Sequence, residues 1–186
     1  MKSTAATLPP PQASTSNPAS WDATSLCGEY LTFHLGDEEF AFEILKVREL
    51  IELMDMTSVP GAPSFIRGVI NLRGKIIPVM KLRERFGLPE VEDNERNCII
   101  VVEVANDDGE SASMGILVDA VSEVMNIGVD DIAPPPNFGG NVNTSFILGM
   151  ARAGEEVKIL LNIEQIVREA GTLLDASSIS DTNDTQ

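Results

Sequence analysis

Residues 69–80 read Val69-Ile70-Asn71-Leu72-Arg73-Gly74-Lys75-Ile76-Ile77-Pro78-Val79-Met80. Two apolar runs, rich in β-branched residues, flank the dipeptide Arg73-Gly74, which is the pattern of a tight β-hairpin. Such a turn needs positive φ, and Gly74 adopts it at no steric cost. Pro78 has no N–H to give to a ladder, so it argues for an edge strand or a bulge. This stretch decides for a chain of short strands separated by turns.

The same style extends in both directions. Upstream, Tyr30-Leu31-Thr32-Phe33-His34-Leu35 alternates, stops at Gly36-Asp37 and resumes at Phe40-Ala41-Phe42, a second hairpin. From Ile44 to Leu53 two periods compete. Ile44, Val47, Leu50 and Ile51 have helical spacing, whereas Val47, Glu49 and Ile51 share one strand face. The preferred reading is one helical turn at Ile44-Leu45-Lys46 followed by a strand. Pro60 and Pro63 then interrupt the chain, and Ser64-Phe65-Ile66 has room for a single turn before Gly68.

Downstream, Leu82 to Leu88 reads as a short amphipathic helix, with Leu82 and Phe86 inward and Gly87 ending it. Glu90 to Asn97 is an acidic linker. Cys98 to Val104, Met114 to Val118 and Val121 to Ile127 are strands, with a turn at Asn106-Asp107-Asp108-Gly109. Asp130 to Asn143 is a long loop containing Pro134-Pro135-Pro136 and Gly139-Gly140. Ile147 to Ala153 and Val157 to Asn162 form a last hairpin about Gly154, and Ile163 to Ala170 is a C-terminal helix.

Residues 1–27 and 172–186 are polar and of low complexity, and read as disordered tails around an ordered region at 28–171. The fold is mainly β. Two successive sets of short strands suggest two small barrels, the first about 28–88 and the second about 97–162, with strands free to cross between them. Barrels leave few open sheet edges. One larger sandwich fits the pattern nearly as well.

Aromatic residues are only 5% of the chain, so its core rests on Val, Ile and Leu. The net charge of −16 repels phosphate and opposes binding to nucleic acid or anionic lipid. Cys27 and Cys98 are far apart, a usage that fits a reducing cytoplasm. No run approaches the roughly 20 apolar residues of a membrane span, and no apolar stretch behind Lys2 suggests a signal peptide.

Catalytic chemistry is hard to find. His34 is the single histidine and sits inside an alternating strand, where a hydrogen-bonded structural role is the simpler account. One His and two distant Cys make no zinc site, and Gly139-Gly140 lacks the context of a phosphate loop. Asp107-Asp108 and Asp130-Asp131 fall in turns, where Asp is expected for backbone reasons. No catalytic residue, metal or cofactor is expected. The alternative from another class is a β-barrel hydrolase, which would need two carboxylates within about 5–10 Å in an enclosed cleft.

Binding remains. Gly61 to Leu88 carries Arg67, Arg73, Lys75, Lys81, Arg83 and Arg85 against the one acid Glu84, so this segment is +5 and the rest of the chain −21. Such an island is either a docking face for an acidic partner or a solvated face paired with nearby Glu and Asp.

Gly68-Val69-Ile70-Asn71-Leu72-Arg73-Gly74-Lys75-Ile76-Ile77-Pro78-Val79 resembles the signature hairpin of the CheW family of bacterial chemotaxis coupling proteins. The resemblance extends to Phe65-Ile66-Arg67-Gly68 and Leu82-Arg83-Glu84-Arg85-Phe86-Gly87. It also takes in Gly36 to Phe40, Ile44 to Glu49, Gly115 to Val124 and Leu160 to Ile163. It implies two SH3-like five-stranded β-barrels without catalytic activity, joining the regulatory domain of the histidine kinase CheA to the cytoplasmic tip of a methyl-accepting chemoreceptor. It further implies a cytoplasmic protein at receptor arrays, a monomer when free and a member of rings when assembled. Ile44, Val47 and Phe138 match kinase-binding positions, and Glu49, Arg73, Val121 and Val124 match receptor-binding ones. Because the +5 island coincides with the signature hairpin, it is expected to be a docking face centred on Arg73. Lys81 stands where the family usually has Asp. With the long N-terminal segment, it raises an adaptor of a non-flagellar chemosensory system as the alternative within the family.

Overall fold

The computed structural model describes residues 21–106, 108–136 and 144–179. In chain order the strands are β1 (Gly28–Leu35), β2 (Glu38–Glu43), β3 (Val47–Glu52), β4 (Ile66–Leu72), β5 (Lys75–Lys81) and β6 (Cys98–Ala105). They continue as β7 (Ser111–Val118), β8 (Ala120–Ile127), β9 (Ile132–Ala133), β10 (Ile147–Ala153) and β11 (Glu156–Leu161). The helices are α1 (Leu82–Arg85) and α2 (Ile163–Ile179), and one 3-10 turn at Ile44–Lys46 leads into β3 as read from the sequence.

The strands form a six-stranded sheet, β8-β1-β2-β11-β10-β9, and a five-stranded sheet, β3-β6-β7-β5-β4. These are not consecutive blocks. The early hairpin β1–β2 joins β8 through an antiparallel β1–β8 pairing and β9–β11 through a parallel β2–β11 pairing. β3 pairs antiparallel with β6, and the β4–β5 hairpin joins β7 through a parallel β5–β7 pairing. The expected barrel boundaries at about 28–88 and 97–162 therefore do not follow the sheets. Alternation within a strand encodes its two faces, not the identity of its neighbour.

Three apolar clusters follow from this arrangement. Leu31, Phe33 and Leu35 of β1 meet Ile100, Val102 and Val104 of β6 and Met114, Ile116 and Val118 of β7 in a core shared by both sheets. Phe33, Phe40, Phe42, Phe86 and Phe146 run through this layer, with neighbouring ring centroids 4.7–6.1 Å apart. The opposite faces fill the sheets' own interiors. Tyr30, Ala41, Ile127 and Leu160 lie inside the six-stranded sheet, and Ile70, Ile77, Val79, Ile99 and Val101 inside the five-stranded one. β6 is thus buried on both faces, which is why Cys98-Ile99-Ile100-Val101-Val102 is continuously apolar.

The five-stranded sheet is closed on itself by backbone. Beyond β3, Thr57 exchanges hydrogen bonds of 2.9 and 2.8 Å with Val69 of β4, joining the two ends of the strand order. This approach explains Gly68, where a Cβ would stand 2.4 Å from the Thr57 carbonyl oxygen. Pro78 lies at neither an edge nor a bulge. β5 runs between β4 and β7, and its pairing with β7 begins only at Val79, so the missing donor falls outside the ladder. The irregularity is in β4, between Ile66 and Gly68.

Both ends of the fold reach further than composition suggested. Asp22 caps a 3-10 turn at Ala23–Leu26, Leu26 is buried, and Trp21 Nε1 donates to the Leu148 carbonyl at 2.9 Å. The Ser- and Thr-rich surroundings conceal these two apolar anchors. At the other end α2 continues through Gly171 to Ile179. One glycine costs a helix only about 1 kcal/mol, too little to end it.

A buried charge also sits within the six-stranded sheet. Lys158, 3% exposed, is ion-paired with Glu39, whose other carboxylate oxygen is 3.3 Å from His34 Nε2. Burial alone would raise the Glu39 carboxyl, but the hydrogen bond and charge of Lys158, with His34 and Ser122 adding to them, hold it below the ordinary Glu range. Removing Glu39's charge leaves the buried Lys158 ammonium with only the exposed Glu156 carboxylate, 3.6 Å away. Glu39→Gln is expected to lower unfolding free energy in urea by about 3–5 kcal/mol, and Glu39→Leu with Lys158→Met to recover most of it. A carboxylate with a lowered folded pKa stabilises above its unfolded value and loses that contribution as pH falls through the folded one. The wild-type melting temperature should therefore drop as pH falls below about 4, with a shallower slope in the double variant.

Candidate docking surfaces

Arg73 and Gly74 are the central residues of the β4–β5 hairpin, with φ of +52° and +83°. Positive φ at both positions is the requirement of a type I′ turn, and Asn71 Oδ1 locks it by accepting from Gly74 N at 2.9 Å. Arg73 is the one non-glycine residue with positive φ among the described residues. An arginine there is strained. Its guanidinium grips Glu49 of β3 through both carboxylate oxygens, at 2.8 and 2.9 Å, while its side chain remains 76% exposed. The structure thus brings together Glu49 and Arg73, two of the residues singled out from the sequence.

Val121 and Val124 both lie on β8, an end strand of the six-stranded sheet. Val121 packs against the shared core, and Val124 is 50% exposed. Ile44 and Val47, on the 3-10 turn and the start of β3, are half-buried against the same core. Phe138 lies outside the described residues. Two residues were missed. Leu45, at the tip of the 3-10 turn, is 92% exposed, and Leu50 on β3 is 45% exposed. The two periods competing over 44–53 concealed them, since each places Leu50 or Leu45 differently until the turn is fixed.

The basic island proves to be mostly neutralised within the chain. Arg67 pairs with Asp93, Lys81 with Glu84 and Glu90, Arg83 with Asp119, and Arg85 with Glu169. Lys75 Nζ donates to Ser113 Oγ at 3.0 Å. The acidic linker 90–97 supplies two of the counterparts, Glu90 and Asp93. The expectation that the +5 segment is a docking face is corrected: most of its charge is paired within the chain, with Arg73 alone strongly exposed among its arginines that form ion pairs. Lys81, expected to be a departure, is well paired, because Glu84 and Glu90 both reach it.

The same ion pairs bear on hydrolysis. Glu84, Glu90, Asp93 and Asp119 line a cleft of about 40 Å³, and Glu90, Asp93 and Asp119 also border two wider depressions of about 620 and 780 Å³, so pairing rather than volume bears on hydrolysis. Each of the four is matched to a cation. The hydrogen bonds from Lys81 and Arg67 hold the Glu84 and Asp93 carboxyls below the usual range, opposite to what a general acid needs. Among the described residues no cluster of His, Cys, Asp and Glu is arranged to hold a metal ion, and no helix is long and apolar enough to cross a membrane.

The CheW-like domain family matches residues 29–171. The chemotaxis protein CheW of Klebsiella aerogenes is 36% identical over 139 residues, which are 75% of this chain and 81% of that protein. The CheW of Rhizobium meliloti is 33% identical over 138 residues, 74% of this chain and 86% of that protein. The crystal structure of the scaffolding protein TtCheW from Thermoanaerobacter tengcongensis is similar with a TM-score of 0.65 at 35% identity, covering 74% of this chain and 85% of that one. The two sheets correspond to the SH3-like barrels of that fold. The chain belongs to the CheW-like family, whose members are non-enzymatic coupling scaffolds of chemotaxis signalling.

Proposed function

We propose that this scaffold docks the regulatory domain of the kinase CheA through Ile44, Val47 and Phe138, and the cytoplasmic tip of a chemoreceptor through Glu49, Arg73, Val121 and Val124. It acts in the cytoplasm, at receptor arrays on the inner face of the membrane, as a monomer when free and a ring member when assembled. The observation that carries the receptor half is the Arg73–Glu49 pair. A strained, exposed arginine held by two hydrogen bonds is a preformed recognition group, because its side chain is ordered before a partner arrives. For the kinase half the support is Leu45, a fully presented apolar side chain beside Ile44 and Val47.

Coupling requires that the contacts differ in free energy between the signalling states of the receptor. The decisive experiment combines purified kinase and receptor. Receptor control of autophosphorylation should appear only when this protein is added, and equal control without it would refute the reading.

Two variants separate the surfaces. Leu45→Glu should leave stability within about 0.5 kcal/mol of wild type, because the side chain touches little. It should weaken kinase-fragment affinity by about 1–3 kcal/mol in titration calorimetry. Val47→Glu should do the same but also lower the melting temperature, since Val47 packs on the shared core. Arg73→Asn tests the other face. Asn-Gly is the preferred type I′ dipeptide, so relief of strain offsets the lost exposed ion pair, and stability should stay within about 1 kcal/mol. Receptor-fragment affinity should fall while kinase affinity is kept.

A further inference from the structure

We infer that Thr32 is a positioning residue for receptor docking, because its hydroxyl holds the β-bulge that sets Val121 and Val124 on one face of β8. The inference rests on the docking reading above and deepens it. Residues three apart on a regular strand point to opposite faces. Val121 and Val124 escape this rule. In the β1–β8 ladder Leu31 pairs with Val124 and Phe33 with Val121, so two steps along β1 match three along β8. Leu31 and Phe33 both face the shared core, and directly paired residues share a face. The extra residue in β8 therefore turns Val121 and Val124 to the same side, the side of the second sheet.

A bulge of this kind leaves backbone groups outside the ladder. Here they belong to Glu123. Thr32 Oγ1 donates to the Glu123 carbonyl at 3.0 Å and accepts from the Glu123 N–H at 3.2 Å. Thr32 is fully buried while Glu123 is exposed, so the hydroxyl reaches from the interior to meet two main-chain needs at a part-buried place. Valine matches its volume but supplies neither donor nor acceptor, whereas serine keeps both. Without the hydroxyl the lower-energy course for β8 is a regular ladder, which rotates one of the two valines away.

The test uses the full chain with a receptor-tip fragment and a kinase regulatory-domain fragment, each titrated against wild type, Thr32→Val and Thr32→Ser. Thr32→Val should lose about tenfold in receptor affinity, and Thr32→Ser should stay within about twofold of wild type. Kinase affinity should stay within about twofold for both variants. The Glu123 amide should exchange with solvent at least about tenfold faster in Thr32→Val, with the remaining β8 amides less affected. Should Thr32→Val fail to fold, Thr32→Cys, whose thiol is a poor hydrogen-bonding group, is judged by the same criterion. Wild-type receptor affinity in Thr32→Val, or parallel loss of receptor and kinase affinity, would overturn the inference. Absence of receptor binding by the wild-type chain would instead overturn the docking reading, and is seen before any variant is compared.

Discussion

The apolar layer between the two sheets is the constraint on which the remaining structure depends. It is lined by β1 and β2 from one sheet, β6 and β7 from the other, and by Ile163, Ile166, Val167 and Ala170 of α2. Because β6 supplies side chains to this layer and to the interior of its own sheet, neither barrel can be completed without the other in place. The parallel pairings β2–β11 and β5–β7 weave the chain the same way. Two barrels that share a core and exchange strands behave as one body, and large hinge motion between them would expose the whole layer to water. For a scaffold the consequence is direct. A rigid body passes on a partner's movement by holding two surfaces at fixed separation, and needs no conformational switch of its own.

Electrostatics adds to this rigidity more than it adds docking energy. A chain of net charge −16 with a +5 segment invites the idea of a basic patch for an acidic partner. The linker 90–97 folds back on that segment instead, with Asp93 on Arg67 and Glu90 on Lys81. Asp119, where β7 passes into β8, accepts from Arg83 of α1 and from Gly36 N of the β1–β2 turn at 2.6 Å. One carboxylate thus ties both sheets at the point where the chain crosses between them. Isolated exposed pairs contribute little, and Glu90 is exposed, but Arg67–Asp93 and Arg83–Asp119 are partly buried and multiply bonded.

The hairpins were legible because turn residues and alternation are local. Gly74, Gly36 and Gly154 marked turns that the structure contains, and the helical turn at Ile44–Lys46 followed by a strand appears as read. Strand exchange was not legible, since the parallel partners Phe40 and Ile159 carry no mark of each other. The bulge in β8 was hidden for a related reason. Val121-Ser122-Glu123-Val124 satisfies no strict period, and its resolution depends on Thr32, far away in sequence. Glu39 and Lys158 showed only as charges in alternating strands, where solvent exposure is the default. The family's motifs located Glu49 and Arg73, but that they form one ion pair across two elements is a fact of the folded chain.

The two proposed docking surfaces would differ in how they obtain specificity, and the difference follows from their backbones. The Leu45 turn presents a non-directional apolar group on a short 3-10 turn, suited to a partner pocket that fits around it. The Arg73 side is directional. Its turn geometry is fixed by Asn71 and Gly74, its guanidinium by Glu49, and, on the inference drawn above, the valines of β8 by the Thr32 hydroxyl. Each of these bonds is made before any partner binds, so the ordering cost falls on folding rather than on association. A surface built this way responds to small shifts in a partner's position, because it cannot adapt to them. That stiffness is the property a coupling scaffold would need on the side proposed here to meet the receptor.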